Sequence, residues 1–153
     1  MLCSDVKVDL IRGRLGHHRF HPMLVHFPVA LYPFGLVMYW LAGRLDNPAL
    51  ADSGLYAHGA ALAVSVLAIA YGLVDLLGID SKSGAWKTGI THAVLNACWF
   101  FAFLILFALA FKRPGVTDNA GFLIAMGLAT LGVFVSNYFG AQLIIRHRVG
   151  VAG

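Results

Sequence analysis

Glutamate is missing from this sequence altogether, and its seven acidic residues are all aspartate. Charge of either sign is scarce: Asp, Glu, Lys and Arg together make up 12% of the 153 residues, about half of what a soluble domain carries. That shortage argues against a well-solvated globular surface and points to lipid. Without glutamate there is no His-Glu-x-x-His, and with it goes the commonest helical route to a hydrolytic zinc site. Cys-x-x-Cys-His is also missing, which excludes covalently attached haem. Cysteine occurs only as Cys3, near the N-terminus, and Cys98, inside an apolar run. The two give no disulfide framework and read as free thiols. No basic run interleaves with stacking aromatics on a polar surface, which argues against nucleic acid as a partner. The polar, basic segment from Met1 to Phe20 lacks the apolar stretch and cleavage site of a signal peptide. The first hydrophobic segment is therefore expected to stay in the mature protein.

What the chain has in quantity is hydrophobic residues, 59% of the total. They fall into four runs, about Pro22 to Gly43, Tyr56 to Gly78, Thr88 to Phe111 and Gly121 to Ile145. Each is near or above the ~20 residues that a helix needs to cross the hydrocarbon. A closed barrel is the only other spanning structure, and it requires a period-two alternation that these runs lack. The connections are short and rich in turn residues: Asp46-Asn47-Pro48, Asp80 to Gly84 and Arg113-Pro114-Gly115. Short connections make neighbours antiparallel. The expected fold is therefore all-α, an integral membrane four-helix bundle running up-down-up-down. Residues 1–21 form a basic juxtamembrane segment and 146–153 a short tail.

The basic residues orient the bundle. Lys7, Arg12, Arg14, Arg19, Lys82, Lys87, Arg146 and Arg148 fall on one side, and Arg44, Lys112 and Arg113 on the other. This distribution puts both termini in the cytoplasm and the chain in the inner membrane. The mixed apolar and basic stretch from Val6 to Leu15 is suited to lying along the membrane surface.

Polar residues inside spans are costly, and so mark places of interest. In the first run, Pro22 suits the first helical position, which leaves His21 at the rim. His26 follows about one turn further in, where Pro28 and Pro33 are expected to bend the helix. In the second run, Asp75 is the one acid well inside a span, and Ala68, Tyr71 and Gly72 precede it as a small, polar stripe. In the third, His92, Asn96, Trp99 and Phe103 share one face. In the fourth, Gly132, Ser136 and Gly140 form a small-residue ridge that continues to Leu143 and His147. Helix direction alternates, so His26, Asp75 and His92 are expected at similar depth at the cytoplasmic end. His58 is expected alone near the opposite face.

Several readings fit this cluster. It can be a set of interhelical hydrogen bonds that brace the bundle. It can hold a b-type haem between His26 and His92, with Asp75 and Asn96 orienting the ligands and the small-residue stripes making room for a flat macrocycle. It can bind a metal, with His21 and His147 as reserve ligands. It can also be a proton path through Asp75 and the histidines, although four helices without an inverted repeat do not suggest a transporter. A surface metal site at His17, His18 and His21 is disfavoured by the adjacent Arg14 and Arg19.

The segment His21-Pro22-Met23-Leu24-Val25-His26-Phe27-Pro28 closely resembles the opening motif of the DUF2231 family of bacterial membrane proteins. Gly72 to Asp75, His92-Ala93-x-x-Asn96 and Gly140 to Leu143 with Arg146-His147 fit it as well, so the resemblance covers roughly Phe20 to Val151. Arg148 departs from it, since family members usually show glycine after that histidine. The resemblance implies four helices and, because some members resemble fusions to redox modules such as Rieske-type domains, an electron-transfer setting. The function expected is a small membrane redox protein with one haem b. It would exchange electrons with a quinol or a protein partner, and could form homo- or hetero-oligomers. The alternative is a non-redox membrane subunit whose cluster serves assembly or proton movement.

Overall fold

The computed structural model describes residues 13–15 and 18–150. Cys3, most of the Val6 to Leu15 segment, and the side chains of His17 and His18 lie outside the described residues, as does the end of the tail. Four helices carry the fold: α1 (Phe20–Leu45), α2 (Pro48–Leu77), α3 (Gly84–Lys112) and α4 (Ala120–Ile145), with a short 3-10 turn at Pro114–Asp118. An antiparallel ladder of two-residue strands, β1 (Arg14–Leu15) and β2 (His18–Arg19), leads into α1. It is too short to bury a face, and the fold is all-α as the sequence implies.

The helix ends follow from local chemistry. Asn47 caps α2 by accepting from the Ala49 N–H at 3.1 Å, and Pro48 fills the first helical position, where its missing N–H costs nothing. Ser83 caps α3 through the Trp86 N–H at 3.1 Å, and Asn119 caps α4 through the Gly121 N–H at 2.8 Å. Because Asn47-Pro48 starts a helix rather than only turning the chain, α2 begins eight residues before the hydrophobic run at Tyr56. The helices have 26 to 30 residues, about 39 to 45 Å at ~1.5 Å per residue. That length is enough to cross a ~30 Å hydrocarbon layer.

The surface is apolar all round: Leu67, Phe101, Ile105, Leu131, Val135 and Ile145 are among the exposed side chains. In water such a surface would aggregate; in lipid it is the solvated one. The bundle is an integral membrane domain. Its interior is filled by aromatic and small residues, with Tyr39, Ala61, Phe103 and Met126 fully buried. Each successive pair of helices is antiparallel. His21 of α1 meets Ala68 of α2, while Gly35 lies against Gly54. His92 of α3 meets Ser136 of α4, while Trp99 lies against Gly132. Contacts are densest within the α1–α2 and α3–α4 hairpins and sparser between them.

Candidate functional site

A cavity of about 530 Å³ opens between the two hairpins at the end where α1 begins. Its lining runs from Arg19 and Asp75 at the rim to Tyr32, Ser65 and Phe103 on the floor. Asp75 and Ser65 are ten residues apart on α2, so the cavity reaches about 15 Å along the axis. His21 and His92 face each other across it, ring centroids 6.1 Å apart and planes at 82°.

Each imidazole is seated in the same way. His21 Nδ1 lies 2.8 Å from the Ala68 carbonyl oxygen, and His92 Nδ1 lies 2.8 Å from that of Ser136. A carbonyl can only accept, so Nδ1–H is the donor in both rings and each Nε2 keeps its lone pair. Glycine makes these seats possible. A Cβ on Gly72 would come within 2.9 Å of the His21 ring, and one on Gly140 within 2.7 Å of the His92 ring. Asn96 completes the His92 side, its amide nitrogen donating to Ser136 Oγ at 2.6 Å and to the His92 carbonyl at 2.9 Å. Those two bonds use both amide hydrogens. The approach of the same nitrogen to the two ring nitrogens, at 3.2 and 3.3 Å, is therefore contact over the ring rather than hydrogen bonding.

The partners differ in part from those expected. His26 is exposed on the outer face of α1 and does not line the cavity. The reason is helical phase. Phe20, whose N–H donates to the Gly13 carbonyl at 2.8 Å, opens α1 two residues ahead of Pro22. This turns His21 inward, off the rim, and five residues at 3.6 per turn place His26 about 140° away around the helix. Asp75 does not orient an imidazole; it pairs with Arg19 at 2.7 Å, the side chains being 22% (Arg19) and 19% (Asp75) exposed. His147 lies past the end of α4, its Nε2 3.2 Å from Thr88 Oγ1, and does not line the cavity. The small-residue ridge on α4 is not a slot for a flat ligand. The Trp99 indole covers Gly132, and His92 covers Gly140. Among the described residues, no three His, Cys, Asp or Glu side chains come together as a metal-holding group.

His58 is also not where it was expected. With α2 starting at Pro48, it lies ten residues into a 30-residue helix, and it is fully buried. That is within about 7 Å of the helix midpoint, not near the far face. Its Nε2 lies 3.0 Å from the Phe103 carbonyl oxygen.

No curated protein and no solved structure matches the chain. A family model described as a predicted membrane protein, DUF2231, matches residues 17–153. This match over nearly the whole sequence, on a chain with four apolar helices long enough to cross a membrane, places the chain in the DUF2231 family of membrane proteins.

Proposed function

We propose that the bundle is a small inner-membrane redox protein whose cavity would take one b-type haem, with His21 and His92 as the residues that would hold its iron. The observation that carries the reading is the facing pair of imidazoles, centroids 6.1 Å apart, each anchored through Nδ1. At this spacing the two imidazoles would leave room between them for one metal ion with bonds of about 2 Å. A carbonyl acceptor on Nδ1 is the usual outer partner of a ligating histidine, fixing its tautomer and orientation. The cavity volume lies within the ~300 to 1,000 Å³ range of cofactor sites. The bound group supplies one-electron chemistry. The chain's own residues do the rest: Ala68 and Ser136 aim the ligands, Asn96 holds the α3–α4 side, and the apolar lining keeps water away. Electrons would pass to or from a quinol or protein partner, with both termini in the cytoplasm.

The test is the visible spectrum of protein purified after haem-replete expression. A low-spin spectrum is expected, lost in His21→Ala and in His92→Ala but kept in His26→Ala and His147→Ala. A featureless wild-type spectrum overturns the reading. One observation favours a second reading, in which the cluster braces a non-redox membrane subunit. Arg19–Asp75 ties α1 to α2, and Asn96–Ser136 ties α3 to α4, without any ligand. In that case His92→Ala lowers stability and no variant has a visible spectrum to lose.

A further inference from the structure

Behind the cavity floor is a second polar group of residues that the haem reading does not use. Tyr39 of α1 and His58 of α2 are both 0% exposed. Among the described residues, the Tyr39 hydroxyl and His58 Nδ1 are the buried side-chain polar atoms without a hydrogen-bond partner. Unpartnered buried polar atoms are rare, and each calls for a physical explanation. Two of them in neighbouring side chains, ring centroids 6.4 Å apart, call for a common one.

The surroundings narrow what that can be. His58 is ringed by aromatic side chains at steep angles: Tyr32 at 5.7 Å, and Phe103 and Phe107 at 5.5 Å each. Tyr39 is wedged between Phe122, at 5.4 Å, and the backbone of α2, where a Cβ on Gly54 would meet its ring at 2.9 Å. Neither ring is free to swing to a new partner. The hydroxyl of Tyr32, whose ring packs against His58, is already bonded to Ser65 Oγ at 3.3 Å. The donor and acceptor roles are fixed as well. His58 Nε2 faces the Phe103 carbonyl oxygen at 3.0 Å and must carry the proton. Nδ1 is then an acceptor, and the Tyr39 hydroxyl a donor.

We propose that Tyr39 and His58 form an internal hydration site inside the bundle, holding one water between the Tyr39 hydroxyl and His58 Nδ1. Water has the right complement, since it accepts from the phenol and donates to the imidazole. Two polar partners meet the minimum for a buried water. Anything larger would have to displace packed aromatic rings, and a bare cation finds no carboxylate here. The site goes beyond the haem reading and stands without it. The floor residues Tyr32 and Phe103, stacked at 3.6 Å, separate this water from the cavity.

The test is solid-state NMR on full-length protein with 15N-labelled histidine in lipid nanodiscs, His58 being assigned through its ring contacts to Phe103 and Phe107. The expected wild-type result is an Nε2–H tautomer with Nδ1 receiving magnetisation from water. In Tyr39→Phe that transfer should fall at least threefold. No transfer in the wild type overturns the proposal, as does a direct Tyr39–His58 coupling in place of a water, or transfer that Tyr39→Phe leaves unchanged. Should Tyr39→Phe fail to fold, the wild-type spectrum decides alone. Haem content plays no part in the outcome.

Discussion

Replacing Gly140 with alanine tests how the His92 imidazole is held. The new Cβ would lie 2.7 Å from His92 Cε1, 3.1 Å from Nδ1 and 3.3 Å from Nε2. The ring cannot simply retreat, because Nδ1 is bonded to the Ser136 carbonyl at 2.8 Å and the Asn96 amide covers its face. Overpacking of this kind costs about 1 to 3 kcal/mol, and loss of the Nδ1 bond adds about 1 kcal/mol. Alanine in place of glycine returns up to about 1 kcal/mol of helix propensity. The net loss is therefore about 1 to 3 kcal/mol. Gly127→Ala on the same helix is the control. The nearest atom to a Cβ there is Leu36 Cδ2 at 4.0 Å, an ordinary contact, so only the propensity gain remains. Thermal unfolding in mild detergent, followed by circular dichroism, should rank Gly127→Ala at or above wild type and Gly140→Ala well below it. Equal melting of the two alanine variants would refute the seating of His92 on α4.

Two further outcomes follow from the ends of the chain's elements. Arg148 takes a left-handed backbone conformation, φ 53°, where the chain leaves α4. An L side chain there costs roughly 1 to 2 kcal/mol, part of which is offset by the freedom glycine has in the unfolded chain. Arg148→Gly should raise stability by about 0.5 to 1 kcal/mol in the same melting assay; a loss would contradict the strain. Topology reporters fused at Gly153 and inserted in the turn before Pro48 should report opposite compartments, with the C-terminal one cytoplasmic. A C-terminus outside the cytoplasm would reverse the orientation taken from the basic residues.

The architecture was legible because its cause is composition. Four apolar runs separated by Asn47-Pro48, Ser83 and Asn119 leave little else for the backbone to do in lipid. The site was legible in part. His92, Asn96, Trp99 and Phe103 do share the inward face of α3, and Gly72 and Gly140 do mark close approach. Phase and pairing were not legible. Choosing His26 over His21 depended on where α1 starts, and a shift of two residues turns a helix by about 200°. The start is set by Gly13, whose carbonyl holds the Phe20 N–H and against whose backbone the Tyr71 ring packs, a contact across 58 residues of sequence. In the sequence Arg19 is one basic residue among those that orient the bundle; in the structure it is the partner of Asp75. Its place in the first turn's approach, level with the end of an antiparallel α2, was the available clue. For His58, the clue was the helix-start signal at Asn47-Pro48, which moves it toward the centre of α2. Small residues on α4 suggest room for a ligand, but they equally make room for large neighbours on the next helix, here Trp99 and His92.

Each imidazole is anchored within its own hairpin: His21 of α1 on the backbone of α2, and His92 of α3 on the backbone of α4. The Arg19–Asp75 and Asn96–Ser136 ties obey the same division. Each hairpin thus carries one histidine wall of the cavity, and the two are joined at the floor by the Tyr32–Phe103 stack and the His58–Phe103 bond. The seats of both histidines therefore lie within one hairpin each, and only the floor needs both. A gene cut in the loop between Gly78 and Ser83 should therefore yield two fragments that find each other in the membrane, neither needing to refold to rebuild the whole.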